Sequence, residues 1–165
     1  MNRRYSNADF NCAKEQNKDN LRDLFLHFHN EARRRVADGR QPTANGKKLK
    51  SAKNMYKLKW NCTMEQIAQD HIETCSGKME GFGSWDSNSR TYRMNVPRFG
   101  APKPWINRAL KEWWDVILEV DLGKDNKYSD VSLYYVANVR EQVYYLQYVK
   151  RIHTHKGKDL KLKKI

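Results

Sequence analysis

Residues 25–40 read FLHFHNEARRRVADGR, and residues 51–75 read SAKNMYKLKWNCTMEQIAQDHIETC. Both stretches carry apolar residues at helical spacing. Leu21, Leu24, Phe25, Phe28, Ala32 and Val36 follow the i, i+3, i+4, i+7 rule and define one helical face. Asp19 or Asn20 is the expected N-cap, and Gly39 the stop. Met64, Ile67, Ala68, His71, Ile72 and Cys75 define a second amphipathic helix. Thr63 is its expected N-cap, with Gln66 at the capping-box position and Gly77 as the stop.

Working outward, residues 1–20 are polar and read as an N-terminal arm, and residues 40–53 as a basic, turn-rich loop. Residues 76–104 concentrate Gly and Pro and read as a long irregular segment. A third helix is expected after Pro104, with Ile106, Ala109, Leu110, Trp113, Ile117 and Val120 on one face. Residues 131–139 and 143–152, rich in Val and Tyr, read as a β-hairpin turning at 140–142. Residues 154–165 read as a basic tail beyond a domain at 21–153. Helices followed by antiparallel strands predict an α+β domain.

Charge bounds the partners. The 165 residues include 32 Lys and Arg against 19 Asp and Glu, a net +13. Lys150 to Ile165 holds seven of these cations and one acid. Such a field attracts anionic partners. The longest apolar run, Leu133 to Ala137, is far short of the roughly 20 residues a membrane helix needs. No zinc-finger, RNP or G-x-x-G clamp accompanies the charge, which argues against a nucleic-acid partner. The runs Arg33-Arg34-Arg35, Lys47-Lys48 with Lys50 and Lys53, and the tail read first as solvated surface. Their functional reading is an anion-binding footprint on Lys158, Lys161, Lys163 and Lys164, making the chain a basic module for heparin-like glycans or, without sequence readout, nucleic acid.

The three cysteines, Cys12, Cys62 and Cys75, form no C-x-x-C. Cys62 and Cys75 bracket one expected helix and stand about 19 Å apart along it. A disulfide needs Cα atoms within about 7 Å, so these two cannot pair. Either Cys12 pairs with one of them or all three are free. Residues 1–20 lack the apolar core of a secretory leader. Asn61-Cys62-Thr63 is a glycosylation sequon, relevant in a secreted chain.

His27 and His29 lie two apart on a helix and face different directions. His71 falls on an apolar face as a core or boundary residue. His153 and His155 have strand spacing for a shared face, but no Cys, Asp or Glu beside them before Asp159. There is no G-x-S-x-G and no phosphate loop. The expectation is a protein that is not an enzyme and needs no cofactor.

The opening stretch resembles the SCP domain of the CAP superfamily, the cysteine-rich secretory, antigen 5 and pathogenesis-related proteins. It is most similar to the nematode venom-allergen-like, activation-associated secreted branch. His29, Asn30 and Arg33 match the HN-x-x-R of its first helix. Met55 to Trp60, Cys62, Glu65, Ala68 and Cys75 match its second-helix block, and Trp113-Trp114 its aromatic pair. The resemblance implies a three-layer α-β-α sandwich with a central antiparallel sheet, and an extracellular location. It also implies a cleft in which two His and two Glu bind a divalent metal.

Here the ligand positions are altered. No His follows Cys75; Met94 stands for one Glu, Val116 or Ile117 for the other, and Leu133 for the second His. In the family's strand signature Val143 to Tyr148, Leu146 replaces the Cys. The expectation is a metal-free domain that binds an extracellular protein or a lipid, or a degenerate paralogue. Trp85, Tyr92, Phe99 and Trp105 are the candidates to line an apolar groove, while most other aromatics read as core.

Overall fold

The computed structural model describes residues 9–12, 18–73, 90–94, 102–120, 131–134, 136, 149–153 and 160–164. Three helices carry the recognisable face patterns: α1 (Asp19–Ala37), α2 (Cys62–Glu73) and α3 (Lys103–Trp114). Three strands, β1 (Arg90–Met94), β2 (Val149–His153) and β3 (Leu160–Lys164), form one antiparallel sheet in the order β1-β3-β2.

The helix ends correct two expected caps. Lys18 is the residue before α1, and its carbonyl accepts from the Leu21 and Arg22 amides. Asp19 is drawn instead to Arg22, with Nη1 to Oδ1 at 2.7 Å. α2 starts at Cys62, so its cap is Asn61 rather than Thr63. The Asn61 Oδ1 accepts from the Met64 amide at 3.1 Å, satisfying an otherwise orphaned donor. The predicted stop of α1 holds. Gly39 has φ +64° and donates to the Val36 carbonyl, and Arg40 donates to Arg35, the paired bonds of a Schellman ending.

The core forms where α1 and α3 meet. Leu24 and Phe25 pack with Ile106, Leu110 and Trp113, joined at the margin by Leu21 and Trp60. A second cluster gathers Ala32, Val36, Leu49, Trp114, Ile117, Leu133 and Val136. Phe28 borders both clusters and links them. Each large side chain buried this way contributes about 1.5–3 kcal/mol before ordering costs. α3 passes into a 3-10 turn, Asp115–Leu118, which carries Ile117 into the second cluster.

The expected hairpin is corrected. Val131–Leu133 is a 3-10 turn, and Tyr134 and Val136 are helical. Val131 is 83% exposed while Leu133 is 2% exposed. In a strand those two residues would share a face. Leu133 and Val136, three apart, are buried together, which is helical spacing. The second expected strand survives in part as β2, whose partner is β3. The turn at 140–142 lies outside the described residues.

Two stretches read as structureless also carry strands. β1 lies inside the segment read as irregular, and β3 inside the segment read as a basic tail. β3 is the central strand, pairing Leu160 with both Met94 and His153.

Candidate functional site

The HN-x-x-R residues act as a latch on α1. His29 Nδ1 lies 2.8 Å from the Phe25 carbonyl, within the helix. Asn30 binds Leu58 twice: its Nδ2 donates to the Leu58 carbonyl at 3.1 Å, and its Oδ1 accepts from the Leu58 amide at 2.7 Å. Arg33 Nε donates to the Tyr56 carbonyl at 2.9 Å. These bonds satisfy backbone groups that run alongside the helix without a sheet partner. His27 is exposed and His29 buried, as their spacing requires.

A buried ion pair joins α1 to α2. Arg22 Nε donates to both Glu65 oxygens, at 2.8 and 3.1 Å, with the Arg and Glu side chains 2% and 0% exposed. Trp60 Nε1 donates to Glu65 Oε2 at 2.8 Å. Burial pulls the Arg22 pKa down, but Glu65 and Asp19 outweigh it and hold Arg22 above the ordinary arginine value. Trp60 is edge-on to Phe10 and tilted against Phe25. The Cys12–Cys62 disulfide, with Cα atoms 5.3 Å apart, ties the Phe10 segment beside it. Pairing of Cys12 with Cys62 selects one of the open alternatives. Cys75 lies outside the described residues.

The Arg33-Arg34-Arg35 run is not one solvated face, which corrects that reading. Arg33 is buried at the latch. Arg34 is exposed and pairs with Glu31 at 2.7 Å. Arg35 lies over the Trp114 ring at 5.9 Å and donates to Gln41, which also accepts from Trp114 Nε1. Burial lowers the Arg35 pKa. Lys47, Lys48, Lys50 and Lys53 are exposed, as expected.

Sequence reading missed Arg22 and Gln41. A signal for Arg22 was present. Arg22, Phe25, His29, Arg33 and Val36 are spaced by three and four, so the buried stripe of α1 runs through its polar residues. Gln41 has no comparable periodic signal.

A cavity of about 950 Å³ is lined by Asn107, Arg108, Lys111 and Glu112 of α3, by Asp115, Val116 and Glu119 beyond it, and by Phe28, Pro104 and Ser132. Val116 and Leu133, the residues expected from sequence at two of the ligand positions, come together beside it. Val116 packs against the cluster that holds Leu133 and Ile117. Val and Leu side chains offer no lone pair, so this pair does not fit a metal. Among the described residues no group of three or more His, Cys, Asp or Glu is placed to hold one.

Met94 ends β1 opposite Leu160. The residues after Cys75 lie outside the described residues, as do Trp85 and Phe99. Of the other groove candidates, Tyr92 lies on β1 and Trp105 is half-buried in the first turn of α3. Lys161, Lys163 and Lys164 lie on β3, and Lys158 lies outside the described residues. Asn61 is exposed at the start of α2.

The sequence pattern of the CAP family, the cysteine-rich secretory protein family, matches residues 26–154. The chain belongs to the CAP family. It is 38% identical over 130 residues to Ancylostoma secreted protein of Ancylostoma caninum, covering 79% of this chain and 30% of that protein. It is 34% identical over 112 residues to Scoloptoxin SSD552 of Scolopendra dehaani, covering 67% of this chain and 50% of that one. The chain thus spans half or less of these curated relatives.

Among solved structures, Na-ASP-1 matches with a TM-score of 0.71 at 34% identity, over 94% of this chain and 38% of that one. NaASP2 with Zn2+ matches with a TM-score of 0.68 at 18% identity, over 93% and 82%. At that identity it speaks to the fold alone. The homologues place the domain with the nematode venom-allergen-like proteins. These structural neighbours are CAP-domain proteins, whose fold is an α-β-α sandwich. No helix among the described residues is long and apolar enough to cross a membrane.

Proposed function

We propose that this chain is a secreted, non-enzymatic CAP-domain binding protein that works without a metal in its cleft. The observation that carries this reading is the burial of Leu133 together with Ile117, against Val116, beside the α3 cavity. Positions that would have to present an imidazole and a carboxylate to a cation instead extend the apolar core. The carboxylates that line the cavity, Glu112, Asp115 and Glu119, have no His or Cys beside them among its lining residues. The cavity is lined by apolar Phe28, Pro104 and Val116 together with charged side chains of α3. That mixture suits an amphipathic lipid or the side chains of an extracellular protein. Secretion is supported by the relationship to Ancylostoma secreted protein. In a secreted chain Asn61 would be open to glycosylation, since capping uses its Oδ1 and leaves Nδ2 available.

The test is the metal content of the purified protein after incubation with excess zinc and desalting. Substoichiometric zinc is expected. One zinc per chain, lost on replacing a Glu or His of the cleft region, would overturn the reading.

A further inference from the structure

Asn61-Cys62-Thr63 is the only Asn-x-Ser/Thr sequon in the chain, and the fold holds all three of its residues. Asn61 is exposed and its cap uses Oδ1, so Nδ2 can carry a glycan in the folded protein. Receiving the glycan is a separate requirement. The transferase takes a sequon as an extended, freely bending segment in which the Asn amide is made nucleophilic. Here Cys62 and Thr63 are the first residues of α2. The Asn61 carbonyl accepts from the Glu65 amide at 3.1 Å, closing the first helical turn. Cys62 is tied to Cys12. On the near side Trp60 is bonded to Glu65 and packed against Phe10 and Phe25, and Leu58 is held twice by Asn30.

Chain order decides when this closure can happen. Phe10, Cys12, Arg22, Phe25 and Asn30 fix the sequon and its flanks, and all of them precede it. A chain made from its N-terminus has already delivered them when residues 61–63 emerge. Synthesis runs at about 5–20 residues per second, so α3 follows only seconds later. Disulfide formation takes seconds or longer, depending on the oxidant. A helical turn opens and re-forms within about a microsecond, so α2 by itself does not keep a transferase out. A covalent bridge that spans 50 residues and pins the second residue of the sequon does not reopen in that way.

We propose that Asn61 is an N-glycosylation site gated by the Cys12–Cys62 disulfide: it accepts a glycan while Cys62 is a thiol and refuses one after the bridge has closed. Two reactions compete for the same three residues. In the first, Asn61 Nδ2 loses one proton and bonds to the anomeric carbon of an oligosaccharide, displacing the lipid pyrophosphate that carried it. In the second, the Cys12 and Cys62 thiols give up two protons and two electrons to a protein disulfide, which becomes a dithiol. A chain glycosylated first can still fold and close the bridge, because the cap needs only Oδ1. The proposal rests on the secreted reading above, since both reactions belong to the secretory route.

The experiment expresses the full chain behind a secretory leader in animal cells. Occupancy is read on total protein, cellular and secreted, as the gel shift on treatment with peptide-N-glycosidase. The parent should be wholly or partly bare. Cys12→Ser, which leaves the sequon untouched, should cut the bare fraction at least twofold, and adding Thr63→Ala should abolish the glycosylated form. Trp113→Ala disturbs the core through α3 and keeps both cysteines, so its bare fraction should match the parent's. Equal bare fractions in the parent and Cys12→Ser would overturn the proposal. So would a parent that is fully glycosylated, or a change with Trp113→Ala as large as that with Cys12→Ser. Because total protein is read, a variant that misfolds still reports its occupancy. As a second readout, dithiothreitol present during synthesis should raise occupancy in the parent and leave Cys12→Ser unchanged; an equal response in both would overturn the gate. The leader is supplied, so the gate can fail while the metal-free reading stands, and a zinc-loaded cleft would leave the gate standing.

Discussion

The α1–α2 region and the three-stranded sheet treat charge in opposite ways. In the first, the buried Arg22 faces Glu65 and Asp19, and Glu65 is also held by Trp60. In the second, Lys163 faces Lys150 and Lys164 faces Arg90. A buried charge survives only with a partner, because desolvation costs several kcal/mol per ion. Like charges directly opposite one another across strands instead raise each other's free energy. The difference separates charge that is matched by a partner from charge that the register sets against its like.

The most severe way to break the first region is to orphan one member of the pair. Glu65→Ala leaves Arg22 buried with its main partner gone and removes the Trp60 acceptor. A loss of about 3–5 kcal/mol is expected in urea unfolding. Replacing both partners with apolar residues, Arg22→Met with Glu65→Leu, should recover most of that loss. A double variant as unstable as the single would show that the pair contributes more than its own burial costs. Because Arg22 is held above its ordinary value, its share of stability is complete below the unfolded arginine value. That share is lost only as pH rises through the folded one, so it is constant across neutral pH.

The disulfide comes next. Cys12 and Cys62 are 50 residues apart, and a loop of that length corresponds to about 4 kcal/mol of restricted unfolded chain. Cys12→Ser with Cys62→Ser should lower the melting temperature and expose Trp60 to quenching by acrylamide. An unchanged melting temperature would place the arm outside the cooperative unit.

How far these regions were legible follows from the same contrast. α1 and α3 announce themselves through Leu24, Phe25, Ile106 and Trp113, because a buried helical stripe forces apolar residues into a 3.6-residue period. Arg22 and Glu65 sit on such stripes but read as surface charge until their partnership is seen. β3 was illegible for a different reason. In LKLKK the alternation is present, but only five residues long, and its cations suggested a solvated tail. One partner, at 90–94, lies far away in sequence, so no local signal fixes that pairing, while the other, at 149–153, ends only six residues before it. Residues 131–136 failed through propensity: Val and Tyr favour strands, yet burial of Leu133 and Val136 on one cluster selects a helical turn.

A smaller effect separates the two candidate caps of α2. Asn61→Ala removes the acceptor for the Met64 amide and should cost about 1 kcal/mol. Thr63→Ala lies inside the helix and should change stability by under about 0.5 kcal/mol. Equal losses from both would return Thr63 to the capping role.

The smallest effect tests the sheet itself. Lys163→Glu replaces a Lys–Lys opposition with Lys150 by an opposite-charge pair, and should stabilise the chain by about 0.2–1 kcal/mol at low salt. Exposed charges are screened over about 3 Å in 1 M salt, so the gain should vanish there. The Glu65→Ala loss should persist at the same salt, since buried pairs are screened far less. A gain that survives 1 M salt would mean that packing, not charge, sets the stability of β3. A loss at low salt would mean that Lys163 and Lys150 do not oppose one another.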